Sequence, residues 1–265
     1  MDELDRLDYP ALDADWISRV IFYPRPELGY PDEGRYERLR IPLEGGLSLG
    51  GRFHLAGQDA PNVLFFHGNG EIVADYDDIG GIFTRMGINF IPVDYRGYGA
   101  STGWPTFSSM MRDAQTAYQF LASWLRERGY GGPLVLMGRS LGSAPALDVA
   151  FRNPEAVAGL IVESGFARIL PLMNLLGIDN PGITEEDGPL NVRKIERIAM
   201  PTLIIHAEYD RIIPFAEGRE LYEASGSADK RFLKIPNAGH NDVFQEGMEA
   251  YLEAVRGFME GIGRR

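Results

Sequence analysis

The stretch LVLMGRSLGSAPAL, residues 134–147, runs four apolar residues into a Gly-x-Ser-x-Gly turn and out into small helix-forming residues. A short continuous apolar run followed at once by such a segment reads as a buried strand feeding a helix. A serine at the apex of so sharp a turn takes a strained backbone, tolerable where the residues two before and two after carry no crowding side chain. Gly138 and Gly142 meet that need. A helix starting at Leu141 sets unpaired N–H groups and its positive dipole end beside Ser140, where they favour developing negative charge. Ser140 is therefore the candidate nucleophile, and a helix-capping serine is the plainer alternative.

Outward from this turn the same unit repeats. Residues 35–43 and 47–55, joined by Glu44-Gly45-Gly46, read as a hairpin. Beyond Pro61, apolar runs alternate with longer amphipathic segments: NVLFFHG then 72–86, INFIPVDY then 108–128, and PLVLMG then 141–151. After AVAGLIVESG comes an irregular segment, followed by PTLIIHAEYD, a helix over 215–224, RFLKIPNAG and a last helix over about 243–259. Strands apolar throughout are buried on both faces, which belongs to a parallel sheet between helical layers. The expectation is one α/β domain over residues 1–265, with a mostly parallel eight-stranded sheet, helices on both faces and a small cap insertion at about 166–199.

Composition narrows the chemistry. The chain has 265 residues, 45% hydrophobic and 24% charged, enough for a large core. A formal net charge of −12 speaks against a nucleic-acid partner, whose binding rests on clustered Lys and Arg. No cysteine is present, which excludes disulfides, thiol nucleophiles and thiolate metal sites. The histidines lack close His-x-x-x-His spacing, so we expect no metal, and the chemistry outlined here asks for no cofactor. The acidic start MDELDRLDYPALDADW is unlike a basic secretory signal, and no apolar run reaches about 18 residues. We therefore expect a soluble, cytoplasmic chain without stable membrane insertion.

A serine hydroxyl needs a base. Of the four histidines, His54 lies in the hairpin, His206 is inside an apolar run, and His67 ends a strand whose Gly-Asn-Gly turn has another use. That leaves His240 in PNAGHND after the last strand, where we expect Gly239 to let the imidazole reach a strand end. A carboxylate must then fix the tautomer of the ring. Asp210, closing LIIHAEYD, is preferred to Glu163 of LIVESG because it has left the apolar run, and Asp242 reads as a cap for the last helix. In DYRGYGAS, Asp94 and Arg96 are expected to pair and brace the loop, while Arg139 and Glu71 read as supports of the site.

These residues carry a resemblance. GRSLGS, HGNGE, DYRGYGASTG, AEYDRIIP and NAGHND, in that order, resemble the α/β-hydrolase superfamily from about residue 20 onward. With RVIFYPRPE they are similar to the branch of small-cap acyl hydrolases that includes membrane-associated lipid or acyl-protein hydrolases and peptidase-like enzymes. The resemblance assigns the HGNG turn to an oxyanion hole, and a glycine-rich turn can expose the N–H groups this requires. The expected donors are the main-chain N–H groups of Asn69 and Leu141, with Gly70 as the alternative to Asn69. A serine hydrolase acting on a small-molecule acyl substrate follows, ester or thioester first and an aminopeptidase-like amide second. A non-catalytic binding protein on the same fold is the reading from another class.

Overall fold

Strand residues in this chain alternate between two separate cores. The computed structural model describes residues 3–29, 34–178 and 182–263. Its strands are β1 Glu37–Pro42, β2 Ser48–Phe53, β3 Asn62–Phe66, β4 Asn89–Val93, β5 Leu134–Arg139, β6 Gly159–Glu163, β7 Thr202–Ala207 and β8 Lys230–Ile235. They form one eight-stranded sheet in the order β1-β2-β4-β3-β5-β6-β7-β8. β1 pairs antiparallel with β2 and β2 antiparallel with β4, and every other pairing is parallel. The helices are α1 Asp15–Ile21, α2 Asp77–Arg85, α3 Phe107–Glu127, α4 Ser143–Arg152, α5 Ile169–Leu175, α6 Asn191–Ile195, α7 Phe215–Ala224 and α8 Val243–Gly263. This is the α/β-hydrolase fold. The period-two pleat sends Leu64, Phe66, Leu136, Leu160, Val162 and Ile204 into a core shared with α1, α3, α4, α6 and α7. Val63, Phe65, Val135, Met137, Ile161 and Leu203 go to the opposite core, with Phe83 of α2 and Tyr251, Val255 and Phe258 of α8.

Several local features explain the elements. Thr106 accepts from the Ser109 N–H while the Ser109 hydroxyl accepts from the Thr106 N–H, a reciprocal cap that starts α3. In the irregular segment, Glu185 accepts from the N–H groups of Ile169 and Leu170 and so caps α5 from outside it. Glu217 of α7 accepts from Ala167 and Arg168, and Asn191 donates to the Phe166 carbonyl. Lys194 of α6, buried, lies 2.5 Å from Asp148 of α4, which also takes Arg152 and Gln115. Thus α6 packs on α4 and α7 in the helical layer. Residues 179–181 of the expected insertion lie outside the described residues. Among the described residues no helix is long and apolar enough to cross a membrane.

The acidic lead, which carries no strand or helix period in its sequence, is part of the main core. Tyr9, Leu12, Ile17, Ile21 and Phe22 are buried there, and the Tyr9 N–H donates to the Ser108 hydroxyl at 2.6 Å.

Candidate active site

β5 ends at Arg139, and the chain turns through a short 3-10 segment, Ser140–Gly142, before α4 begins at Ser143. Ser140 has φ 53°, a left-handed conformation rare outside glycine. The flanking glycines are required by contact: a methyl at Gly138 would strike the Gly142 carbonyl, and one at Gly142 the Phe66 carbonyl. The turn is held by the Ser143 hydroxyl, which donates to the Ser140 carbonyl at 2.7 Å.

The structure brings Ser140, His240 and Asp210 into one hydrogen-bonded line. His240 Nε2 is 2.9 Å from Ser140 Oγ, and its Nδ1 is 2.7 Å from Asp210 Oδ2. All three are largely buried, Ser140 being 8% exposed. The other Asp210 oxygen accepts from the N–H groups of Ile212 and Ile213, at 2.9 and 2.8 Å. Burial alone would raise the Asp210 pKa, but His240 and these two amides outweigh it and hold the carboxyl below its usual range. The loops carrying acid and base are tied together, since Tyr209 N–H donates to the Ala238 carbonyl. The left-handed residue that turns the base loop is Asn237, φ 62°, and not Gly239, to which the sequence pointed.

The remaining candidates divide cleanly. Glu163 does not touch His240; it takes Arg139 Nε at 3.1 Å and the Tyr251 hydroxyl at 2.6 Å. Burial raises its pKa, with Arg139 and Tyr251 offsetting part of the rise. His206, fully buried, has Nε2 2.9 Å from the Ile213 carbonyl and 3.6 Å from Asp210, so it braces the acid loop from below. His67 is enclosed by Tyr95 and Tyr98, and His54 packs on Gly80. The Asp242 side chain turns back to accept from the Gly239 N–H, while its carbonyl receives the Glu246 N–H at the start of α8. Asp94 and Arg96 do not pair. Arg96 makes a two-point bridge to Asp113 of α3 at 2.6 and 2.8 Å, and Asp94 accepts from the Val73 N–H. The expected pair fails because residues two apart in a turn point in different directions, and the first turns of α3 offer Asp113 to the Arg96 guanidinium.

Beside the nucleophile, the turn after β3 is shaped by its own side chains. Glu71 accepts from the Gly68 N–H at 2.6 Å, and Gly70 takes φ 75°. The Asn69 amide oxygen accepts from the Tyr23 N–H and the Tyr98 hydroxyl, which fixes the main chain there. Among the described residues the main-chain N–H groups of Asn69 and Leu141 meet no acceptor. The Gly70 N–H, in contrast, faces the Tyr98 hydroxyl.

Comparison with known proteins agrees with this architecture. The family described as serine aminopeptidase, S33, matches residues 57–178 and 191–246. The alpha/beta hydrolase domain-containing protein aho-3 of Caenorhabditis elegans is 34% identical over 205 residues, 75% of this chain and 57% of its own. Alpha/beta hydrolase domain-containing protein 17C of Xenopus tropicalis is 33% identical over 206 residues, 74% of this chain and 61% of its own. The chain thus spans about three fifths of the length of these relatives. Among solved structures, the esterase Pf2001 of Pyrococcus furiosus has a TM-score of 0.71 at 18% identity, covering 89% of this chain and 98% of that one. A soluble variant of monoglyceride lipase from Saccharomyces cerevisiae has a TM-score of 0.66 at 16% identity, covering 88% and 98%. At such identities the structural likeness is one of fold. The match in sequence is more specific, and on its strength this chain belongs to the α/β-hydrolase superfamily, within the family described as serine aminopeptidase, S33.

Proposed function

We propose that this hydrolase-family chain is a serine hydrolase that cleaves a small acyl substrate through a covalent acyl-enzyme. The observation that carries the reading is the unbroken line from Ser140 Oγ through His240 to Asp210, with the serine held in a strained turn. His240 Nε2 takes the hydroxyl proton as Ser140 Oγ attacks the carbonyl carbon; Asp210 keeps Nδ1 protonated and stabilises the imidazolium. The carbonyl oxygen, now negative, is received by the free N–H groups of Asn69 and Leu141, Gly70 being turned to Tyr98. The imidazolium returns its proton to the leaving group, and a water activated by the same ring releases the acid.

Ester or thioester cleavage is the first reading. The family description favours amide hydrolysis as a second, but an aminopeptidase needs an acid to receive the substrate ammonium, and Glu71 and Glu163 are both committed to Arg139. We assign residues 1–265 to a single domain and read the segment 166–199 as a small insertion whose later part, α6, belongs to the helical layer and whose α5 leaves Leu175 exposed. A fluorophosphonate probe is expected to label the wild type on Ser140, and Ser140→Ala to abolish the label. Labelling that survives the substitution rejects the assignment. Turnover of an ester, an acyl-thioester and an aminoacyl amide, each compared with Ser140→Ala, then decides the substrate class.

A further inference from the structure

Arg139 occupies the second position of the nucleophile turn, yet its side chain leaves the nucleophile behind and runs beneath it to where three loops converge. Its Nη1 is 2.8 Å from Glu71 Oε1, and the second oxygen of Glu71 receives the Gly68 N–H. Its Nε is 3.1 Å from Glu163, which receives the Tyr251 hydroxyl of α8. Its Nη2 donates to the His240 carbonyl at 2.9 Å and reaches the Asn241 amide oxygen at 3.5 Å. Among the described residues, the bond to Arg139 is the one hydrogen bond of the His240 main chain.

Packing anchors the flanks of the base loop, where Ala238 and Val243 are buried in the second core. The guanidinium borders a cavity of about 240 Å³ whose wall includes Glu71, Tyr76, Glu163 and Tyr251. At His240 itself, between those two anchors, the main chain is held by the directed bond from Arg139. A planar guanidinium suits the task, because its donors leave in fixed directions toward separate acceptors. Burial opposes its charge, and Tyr76, Glu71 and Glu163 around it outweigh that opposition. One residue adjoining the nucleophile therefore connects the turn that holds Asn69 to the backbone that carries the base.

We propose that Arg139 is a positioning residue that sets the spacing between the imidazole of His240 and the Asn69 turn, by holding the His240 carbonyl and Glu71 with one side chain. This role rests on the serine-hydrolase reading above. Misplacing a reacting group by about 1 Å costs on the order of 100-fold in rate, so loss of the link is read in turnover rather than in binding. Lysine keeps the charge between the two carboxylates but lacks the fork that also reaches the His240 carbonyl.

The test compares the wild type, Arg139→Lys and the double variant Arg139→Gln/Glu71→Gln, which removes the link without leaving Glu71 as an unpaired charge. Steady-state hydrolysis of p-nitrophenyl acetate, the rate of fluorophosphonate labelling and the denaturation midpoint are measured for each. In both variants kcat is expected to fall about 10- to 100-fold with KM within about twofold, and labelling to slow by a similar factor. If Arg139→Lys does not fold, the double variant supplies the same readout; if neither folds, Arg139 serves the fold and not the base, and the proposal is overturned. Folded variants with wild-type kcat, or with KM alone raised, overturn it too while Ser140 labelling of the wild type stands. A wild type that is never labelled and never turns over removes the serine-hydrolase reading, and this proposal with it.

Discussion

Ser140 is held in a conformation that costs a non-glycine residue on the order of 1 kcal/mol or more. The Ser143 hydroxyl and the start of α4 sustain it, so that Oγ faces His240 without a change of backbone. Elsewhere single residues shape stability instead. His54 is buried on Gly80, and burial, reinforced by the neighbouring charges of Arg52 and Arg35, pushes its pKa down to about 4. Asp77 lies 3.7 Å away but is bound by Arg52. Unfolding returns the ring to its ordinary value near 6.5. The unfolded chain then binds a proton that the folded chain refuses, so this contribution is full above pH 6.5 and is lost as pH falls toward 4. Between pH 7.5 and 4.5 the loss is about 2 to 3 kcal/mol. Urea unfolding at the two pH values should show a smaller drop in His54→Phe than in the wild type, and equal drops would contradict this account. The type and order of the three central residues were legible in the sequence because an imidazole and a carboxylate had to follow strand ends. The partner of Arg96 was not legible, since Asp113 reaches it only through the packing of α3.

At the scale of elements, the join between β5 and α4 is the most constrained. Gly142 approaches the Phe66 and His67 carbonyls so closely that an added methyl must displace β3 or the turn that follows it. Gly142→Ala is expected to cost about 1 to 3 kcal/mol and to reduce ester hydrolysis by more than the fraction unfolded explains, because the displaced turn carries Asn69. A midpoint and a turnover both unchanged would show that this approach is not needed. The same element was the clearest in sequence, since glycines two before and two after a serine between an apolar run and a helix leave few alternatives. The loop of His240 was less clear. Its left-handed turn falls on Asn237, and asparagine tolerates that region well enough to compete with the neighbouring Gly239.

Over the whole molecule, the sheet separates two cores, and residues 3–29 close part of the larger one. Tyr9 and Leu12 are 2% and 0% exposed, and the Tyr9 ring meets Phe107 of α3 edge to face with centroids 5.1 Å apart. Arg6 donates to the Gly188 carbonyl and Arg112 of α3 pairs with Asp8, so the lead also contacts the segment before α6. A chain starting at residue 15 loses both buried side chains, at about 3 kcal/mol or more, and its melting temperature should fall by roughly 10 °C. Melting like the full chain would show that the lead contributes nothing to the core.

By itself the sequence determined the repeating strand and helix order, the mostly parallel sheet, the strained serine and the loops that carry an imidazole and a carboxylate. Those features follow from local periodicity, turn stereochemistry and the few histidines available, all of which act over short stretches of chain. Only the tertiary structure decided that Glu163 serves Arg139 and not His240, that Arg96 bridges to α3, that α6 lies against α4 through the buried Lys194, and that the acidic lead enters the core. Each is a contact between segments distant in sequence, where several partners of equal chemistry compete and distance and burial in the folded chain select one.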